Sequence, residues 1–390
     1  MEPYSKKSLY VMAAATFLAF MGIGVVDPLL PIIAKQIGAR HWEVEMLFTA
    51  YIFTMAFMML PAGIAANRFG EKPVLTSGLF VVCLASLFCA LAHSIVELSW
   101  FRAAWGLGNA MFFACAMTIM IRFSRSVTEA IGLFEAAVGL GMAVGPLLGG
   151  VLGEASWRYP FAATSLLAAL ACLCVWRFVK PPVQEKKSAA TSHGSKDLLV
   201  LLRYRPFLRV ALVSMLYYYA FFTVLAYSPL FLQLSAMELG WVFFGWGMML
   251  AAGSAKLSHM LERKFSSVQI ISGALLLFAL SVSGIYFSQD KALQLALIIA
   301  SGLFCGVSNS LFTTYTMELS PYPRNITSSA YNFVRWLGAG LAPVTAGIMA
   351  ENITPAAPYL AAFLVLAIGI VSLDRSPKAV LPEWAEKIAN

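Results

Sequence analysis

The chain has 390 residues, of which 60% are hydrophobic and only 12% are charged. A soluble domain averages about 25% charged residues, so this composition excludes an ordinary soluble protein and favours one that crosses a membrane repeatedly. The net charge of +8 would suit a nucleic-acid partner, but the placement of the basic residues, described below, explains it without one.

Long continuous apolar runs, rather than the ten-residue alternating strands of a barrel, predict membrane-spanning helices. We predict about twelve spans, at 9–34, 44–66, 74–93, 96–121, 128–153, 158–179, 207–234, 239–260, 267–287, 292–317, 326–350 and 355–373. The first run is too long for the core of a signal peptide, so we expect it to remain as a span. The predicted fold class is therefore an all-α polytopic membrane protein.

The connection between the sixth and seventh spans is longer and more polar than the others, and it contains PPVQEKKSAATSHGSKD. Such a composition is typical of a linker. It predicts a six-helix bundle at 1–180, a cytoplasmic linker at 181–206, a second six-helix bundle at 207–375 and a cytoplasmic tail at 376–390.

The basic residues are distributed unevenly between the two sides of the predicted membrane. If the amino terminus is cytoplasmic, most lysines and arginines fall on the cytoplasmic side. Four fall on the outer side, Lys35, Arg40, Arg158 and Lys291, and two fall within spans, Arg102 and Arg335. This positive-inside pattern predicts that both termini are cytoplasmic. It also accounts for the net charge, so we expect no nucleic-acid partner.

The two halves share a repeated segment. LGMAVGPLLGGVLGE at 140–154 aligns with LGAGLAPVTAGIMAE at 337–351, at a constant offset of 197 residues. This offset pairs Gly141 with Gly338, Pro146 with Pro343 and Gly150 with Gly347. Two similar bundles with a site between them, near the midplane of the membrane, are typical of secondary transporters.

Glycines recur every four residues in the fifth span, at Gly141, Gly145 and Gly149. Small residues let helices approach closely in lipid, and Pro146 lacks an N–H and should bend the helix. We expect this stripe to lie against a helix of the other half. The repeat predicts a matching surface in the eleventh span.

Three motifs resemble those of a known family. GIAANRFGEKP at 63–73 is similar to the cytoplasmic-loop signature of the major facilitator superfamily, with Gly63, Arg68, Gly70 and Lys72 in place. Asn67 stands where the family usually has Asp, and Glu71 where it often has a basic residue. RAAWGLGNA at 102–110 resembles the motif associated with proton coupling, and GMAVGPLLGG at 141–150 resembles the antiporter motif.

Over nearly its whole length the chain resembles the twelve-span drug:proton antiporters of this superfamily. The resemblance implies two pseudo-symmetric six-helix halves, no enzymatic activity, no cofactor besides the proton gradient, and a monomer in a bacterial cytoplasmic membrane. The expected partners are a small-molecule substrate, protons and the lipid bilayer. The absence of a phosphate-binding loop favours secondary transport, and the six cysteines lack metal-ligand spacing.

Charged residues within spans are costly and therefore mark function. Asp27 and Arg102 both fall roughly 10 Å below the outer surface, at 1.5 Å per residue, and are thus able to pair. One hypothesis makes Asp27 a proton carrier tuned by Arg102; the other makes them a structural ion pair. Glu135, in the fifth span, is a second proton site, a contact for a cationic substrate, or an interfacial carboxylate.

Arg335, near the midplane in the eleventh span, needs a carboxylate, carbonyl groups or an anionic substrate as its partner. Some antiporter relatives carry a similar YNF-x-R segment there, and the repeat aligns Asn332 with Glu135. Further candidates for substrate contact, against the alternative of packing, are Tyr217, Tyr218, Tyr227 and Asn309.

These residues support three hypotheses about function. The first is a multidrug exporter that exchanges protons for lipophilic or amphipathic molecules by alternating access. The second keeps the fold but exports an endogenous anionic metabolite such as a siderophore, held by Arg335. The third is a membrane sensor without transport, against which the lack of a sizeable soluble domain argues.

Overall fold

The structure is a computed structural model that describes residues 6–179, 201–320, 322 and 324–373. Its apolar helices are α1 (Lys6–Ile37), α2 (His41–Phe69), α3 (Glu71–Leu91), α4 (Ile95–Phe123), α5 (Val127–Gly153), α6 (Arg158–Phe178), α7 (Arg205–Leu232), α8 (Ala236–Glu262), α9 (Ser267–Phe287), α10 (Lys291–Leu319), α11 (Arg324–Asn352) and α12 (Ala357–Ser372). Eleven are long and apolar enough to cross a membrane, and α12 is shorter. The described residues contain no strand, so the predicted all-α class is confirmed. Most of the predicted linker at 181–206, and all of the predicted tail at 376–390, lie outside the described residues.

Polar side chains at the connections fix where several helices begin. Ser94 and Ser126 accept hydrogen bonds from backbone N–H groups in the first turns of α4 and α5. Ser235 and Ser266 form reciprocal capping boxes at the starts of α8 and α9. These caps satisfy backbone groups that have no intrahelical partner. Each helix therefore begins close to the edge of its apolar run.

Two helices, α1 and α7, are irregular at equivalent places. The first regular segment of α1 ends at Gly24, a 3₁₀ turn follows at Asp27–Leu29, and regular helix resumes at Leu30. In α7 a π-helical turn occupies Thr223–Tyr227, the segment that the 197-residue offset aligns with 26–30. Pro28 lacks the N–H that a regular helix needs. The interruption places Asp27 where the helix is broken.

The two halves meet along two pairs of helices. We call the contact between α2 and α11 the α2–α11 seam, and that between α5 and α8 the α5–α8 seam. Within each half, α2 packs on α4 and α11 packs on α7. We refer to the end that carries the α1–α2 connection as the predicted outer end, and to the opposite end as the predicted cytoplasmic end.

The glycine stripe of α5 lies against a different helix from the one expected. A Cβ at Gly141, Gly145 or Gly149 would collide with the backbone of α1, at Phe17, Met21 and Val25 respectively. The predicted contact with the other half is therefore wrong for this stripe, which packs within its own half. A second face of α5 makes the seam with α8, where Gly139 meets Ala251 and Gly150 meets Ala236.

The same division of faces recurs in α11. Gly338, the counterpart of Gly141, lies against Met215 of α7 in its own half. Gly347, the counterpart of Gly150, lies against Trp42 of α2 in the other half. Pro146 and Pro343 lie inside α5 and α11 at aligned positions. The repeat in the sequence therefore corresponds to matching packing surfaces in the two halves.

Candidate functional site: a central cavity and a buried charge cluster

A small cavity lies between the two halves at the centre of the molecule. It has a volume of about 20 Å³, which is enough for about one water molecule. Its walls are mostly aromatic and aliphatic, with one amide and one phenol: Phe20, Ile23, Val138, Met142, Tyr218, Phe221, Phe222, Leu250, Asn309 and Trp336. Because α1 and α5 supply one wall and α7, α8, α10 and α11 supply the other, any molecule held here contacts both halves.

Arg335 lies beside this cavity on α11. Its guanidinium donates a hydrogen bond to Oδ1 of Asn309 at 3.3 Å, and it lies 4.7 Å from the ring centre of Tyr218 and 4.9 Å from that of Tyr331. The hydroxyl of Tyr218 donates to the same Asn309 oxygen at 3.0 Å. Since a guanidinium stays charged, these aromatic faces and the amide oxygen hold a positive charge at the cavity wall.

Glu135 approaches this cluster from the other half. It is half-buried on α5, and its carboxylate interacts electrostatically with Arg335 and Tyr218. No ion pair within 4 Å joins Glu135 to Arg335 among the described residues. Asn332, the residue that the repeat aligns with Glu135, donates to Ser328 Oγ at 3.2 Å. The cavity region therefore carries one acidic and one basic side chain, from opposite halves.

The other two tyrosines predicted for substrate contact hold helices together instead. The Tyr217 hydroxyl donates to the backbone oxygen of Cys305 at 2.7 Å, and that of Tyr227 donates to the backbone oxygen of Pro355 at 2.6 Å. Both side chains are buried and neither lines the cavity. Of the predicted candidates, the structure brings together Tyr218, Asn309, Arg335 and Glu135. In the sequence, the run of tyrosines at 217–219 indicates aromatic packing, but it does not show which of the three rings faces the cavity.

A second polar cluster lies toward the predicted outer end. Asp27 and Arg102 are both fully buried and interact electrostatically. The Arg102 guanidinium lies 4.3 Å from the ring centre of Tyr51 and 4.8 Å from that of Trp105. Neither carboxylate oxygen of Asp27 and none of the Arg102 nitrogens has a hydrogen-bond partner among the described residues. The expected proximity is found, but a direct hydrogen-bonded ion pair is not.

Glu45 is a further member of this cluster that the sequence reasoning missed. It lies in the first turns of α2, is fully buried, and its carboxylate interacts electrostatically with Asp27. Neither of its oxygens has a hydrogen-bond partner in the described chain. Because Glu45 is the second residue of its predicted apolar run, its sequence position resembles that of an interfacial carboxylate. The only indication in the sequence is that Glu45 shares one face of its helix with Trp42 and Thr49.

The α2–α3 connection has the geometry that its motif requires. Gly70 adopts φ +93°, a conformation that favours glycine, and α3 starts at the next residue. The carboxylate of Glu71 pairs with Arg122 at the end of α4, at 2.9 Å. Arg68 is exposed and Gly63 is half-buried. Despite the replacement at 71, the loop thus keeps a charge contact with a neighbouring helix end.

Known proteins resemble this chain in sequence over most of its length. The family model of the Major Facilitator Superfamily matches residues 12–343. The multidrug efflux protein YfmO of Bacillus subtilis (strain 168) is 37% identical over 370 residues, which cover 94% of this chain and 92% of YfmO. The quinolone resistance protein NorA of Staphylococcus aureus (strain COL) is 23% identical over 389 residues, covering 97% of this chain and 99% of NorA.

Two solved structures show the same fold at low identity. A D-xylose–proton symporter superposes with a TM-score of 0.78 at 14% identity, covering 97% of this chain and 99% of the symporter. The human organic anion transporter MFSD10 (TETRAN) superposes with a TM-score of 0.75 at 16% identity, covering 96% and 100%. Since the family model spans most of the chain and the YfmO likeness extends over nearly all of it, the chain belongs to the Major Facilitator Superfamily and is a membrane transporter rather than an enzyme.

Proposed function

We propose that the protein is a secondary exporter that exchanges protons for lipophilic, amphipathic small molecules, and that it acts as a monomer in a bacterial cytoplasmic membrane with both termini cytoplasmic. The relatives named for multidrug efflux and quinolone resistance support this substrate class. The central cavity holds about one water molecule in this arrangement of the halves, and its aromatic walls would suit flat apolar molecules once the halves part. No cofactor besides the proton gradient is required.

The observation that carries the proposal is the buried carboxylate of Asp27. It lies at the break in α1, without a hydrogen-bond partner among the described residues, and within electrostatic range of the fully buried Arg102. A carboxylate in such surroundings binds a proton when isolated from water and releases it when solvated. Asp27 is the proposed proton carrier, with Arg102 setting its affinity for the proton.

Glu135 supplies the link to the substrate. Its half-buried carboxylate lies toward the central cavity, opposite the positive charge of Arg335. A cationic substrate entering between the halves would compete with a proton for this carboxylate. In the proposed cycle the two halves rock about the α2–α11 and α5–α8 seams, so that each side of the membrane gains access in turn.

Replacing Asp27 tests this proposal. In inverted vesicles that contain the full chain, we expect Asp27→Asn to abolish proton release dependent on a cationic dye such as ethidium, because an amide binds no proton in this range. Glu43→Gln, on the first turn of α2, is the matched control and should behave as wild type. Coupling unchanged in Asp27→Asn would remove Asp27 from the mechanism.

A second candidate substrate is an anionic metabolite such as a siderophore. The observation that favours it is the positive charge of Arg335 at the cavity wall, stacked on Tyr218 and Tyr331. An anionic group displacing the weak interaction with Glu135 would find a guanidinium already held in place. The two candidates make opposite predictions for the effect of replacing Arg335.

A further inference from the structure

Glu45 lies on the face of α2 that forms the α2–α11 seam. Trp42, three residues before it, packs against Gly347 of α11. Thr49, four residues after it, donates a hydrogen bond to the backbone oxygen of Gly340 at 3.1 Å. Residues three and four apart share one face of a helix. Glu45 therefore sits between two contacts with the other half, near the predicted outer end.

The groups around Glu45 come from both halves of the chain. Asp27 of α1 interacts with it from the same half, and Arg102 of α4 interacts with Asp27. From the other half, the phenols of Tyr227 on α7 and Tyr359 on α12 lie within its electrostatic range. The Tyr227 hydroxyl donates its hydrogen bond to the backbone oxygen of Pro355, and the Tyr359 hydroxyl shares a hydrogen bond with Ser228. Neither satisfies the carboxylate.

The charges of the cluster do not balance. With both carboxylates ionised, Asp27 and Glu45 carry two negative charges against the single positive charge of Arg102, all fully buried. A buried, unpaired charge is costly, and one proton on either carboxylate makes the cluster neutral. None of the four carboxylate oxygens has a hydrogen-bond partner among the described residues, so a proton on one of them breaks no existing contact.

We propose that Glu45 is a further proton-binding carboxylate of the transport cycle, which shares one proton with Asp27 while the α2–α11 seam is closed and takes this proton up from the outer water when the seam opens. The proposal rests on the proposed proton antiport and extends it by a residue. The burial of Glu45 depends on the other half, through Gly347 and Gly340, whereas Arg102 is stacked on Tyr51 and Trp105 of its own half. Parting of the halves at this seam would therefore solvate Glu45.

The chemistry requires only proton exchange. A hydronium ion in the outer water protonates the carboxylate of Glu45 or Asp27, leaving a water molecule behind. When substrate binding from the cytoplasmic side favours the ionised pair, the proton leaves to the cytoplasmic water and the cluster regains one negative charge. No bond to carbon changes and no other reactant is needed.

The test counts protons released when ethidium binds to the full chain, purified in weakly buffered detergent with a pH indicator. We expect Glu45→Gln to release about one proton fewer per ethidium bound than wild type, and its ethidium binding to depend less steeply on pH. Glu43→Gln, two residues earlier on α2, should match wild type. Glu43 is not in the cluster; its carboxylate accepts a hydrogen bond from the backbone of Arg40.

Glu45→Asp separates a proton site from a structural contact. It keeps the carboxylate and shortens the side chain, so a proton site predicts wild-type release, whereas a packing role predicts loss, because Gln has the size of Glu and Asp does not. This variant decides the question also where Glu45→Gln fails to fold. Wild-type release in Glu45→Gln, or lost release in a folded Glu45→Asp, would overturn the proposal for Glu45 while leaving the antiport intact. Absence of proton release in the wild type would overturn the antiport itself.

Discussion

The charged side chains that are buried or half-buried within the spans lie in two groups. Toward the predicted outer end, Asp27, Glu45 and Arg102 are fully buried and have no hydrogen-bond partners among the described residues. Beside the central cavity, Glu135 and Arg335 are half-buried and lie on opposite halves. The first group suits proton binding, which needs no space, and the second suits substrate binding, which needs access. Separate sites of this kind can be coupled through the movement of α1 and α5.

Arg335→Gln distinguishes the two candidate substrates. The change removes a positive charge opposite Glu135, so we expect affinity for ethidium to rise by about threefold to tenfold and export of the dye to continue. Export of an anionic substrate should be lost. Dye binding by fluorescence, and uptake into inverted vesicles, measure both effects.

The matched control for this change is Arg177→Gln, an arginine in the last turn of α6 that lies beside Phe178. It should leave both transport activities within about twofold of wild type, since surface charges contribute little. Loss of dye export in Arg335→Gln would show that the contact with Asn309 holds the fold and would contradict a role restricted to anions.

The sequence pointed to four of these five charged positions, because a charge inside a long apolar run is conspicuous. The similar depths that helix geometry predicts for Asp27 and Arg102 agree with the electrostatic interaction between them. Glu45 was not identified because it stands at the edge of its predicted apolar run, where interfacial and buried carboxylates have the same sequence context. Only the contacts of Trp42 and Thr49 with α11 show that this edge is covered by the other half.

At the scale of elements, α5 has two packing surfaces rather than one. Gly141, Gly145 and Gly149 lie against α1, and Gly139 and Gly150 lie against α8. The four-residue spacing revealed that a helix approaches closely, but small residues do not record which helix it is. The arrangement connects the broken helix that carries Asp27 to the helix that forms the seam. In the proposed cycle, a movement of α5 would thus be transmitted to Asp27.

Gly145→Leu tests this connection. A Cβ at Gly145 would collide with the backbone oxygen of Met21 in α1, so a leucine forces the two helices apart. We expect transport to fall at least tenfold while the protein still inserts into the membrane. Ethidium efflux from cells, together with the amount of protein in the membrane fraction, measures both.

Gly132→Leu is the matched control on the same helix, because no atom of another helix lies within 4 Å of a Cβ placed there. It should leave efflux within about twofold of wild type. Full activity of Gly145→Leu would contradict the close contact between α1 and α5, and equal loss in both variants would trace the effect to leucine in α5 rather than to this contact.

At the scale of the whole molecule, the repeat in the sequence becomes a repeat in packing. Gly141 and Gly338 each face the first helix of their own half, and Gly150 and Gly347 each face the second helix of the opposite half. Within the described residues, the two main seams between the halves are therefore formed by equivalent surfaces. Such symmetry suits two arrangements of similar free energy, one open to each side of the membrane. In the proposed cycle, the central cavity, of about 20 Å³, lies where these two arrangements would exchange access.

The central claim, proton-driven exchange, is tested most directly by substrate accumulation in proteoliposomes that contain the purified full chain. A pH gradient, acidic inside, is imposed without ATP, and a set of lipophilic cations and organic anions is offered outside. We predict that the cations accumulate, that a protonophore abolishes the accumulation, and that Asp27→Asn prevents it. Uptake that is the same with and without the gradient would contradict the account.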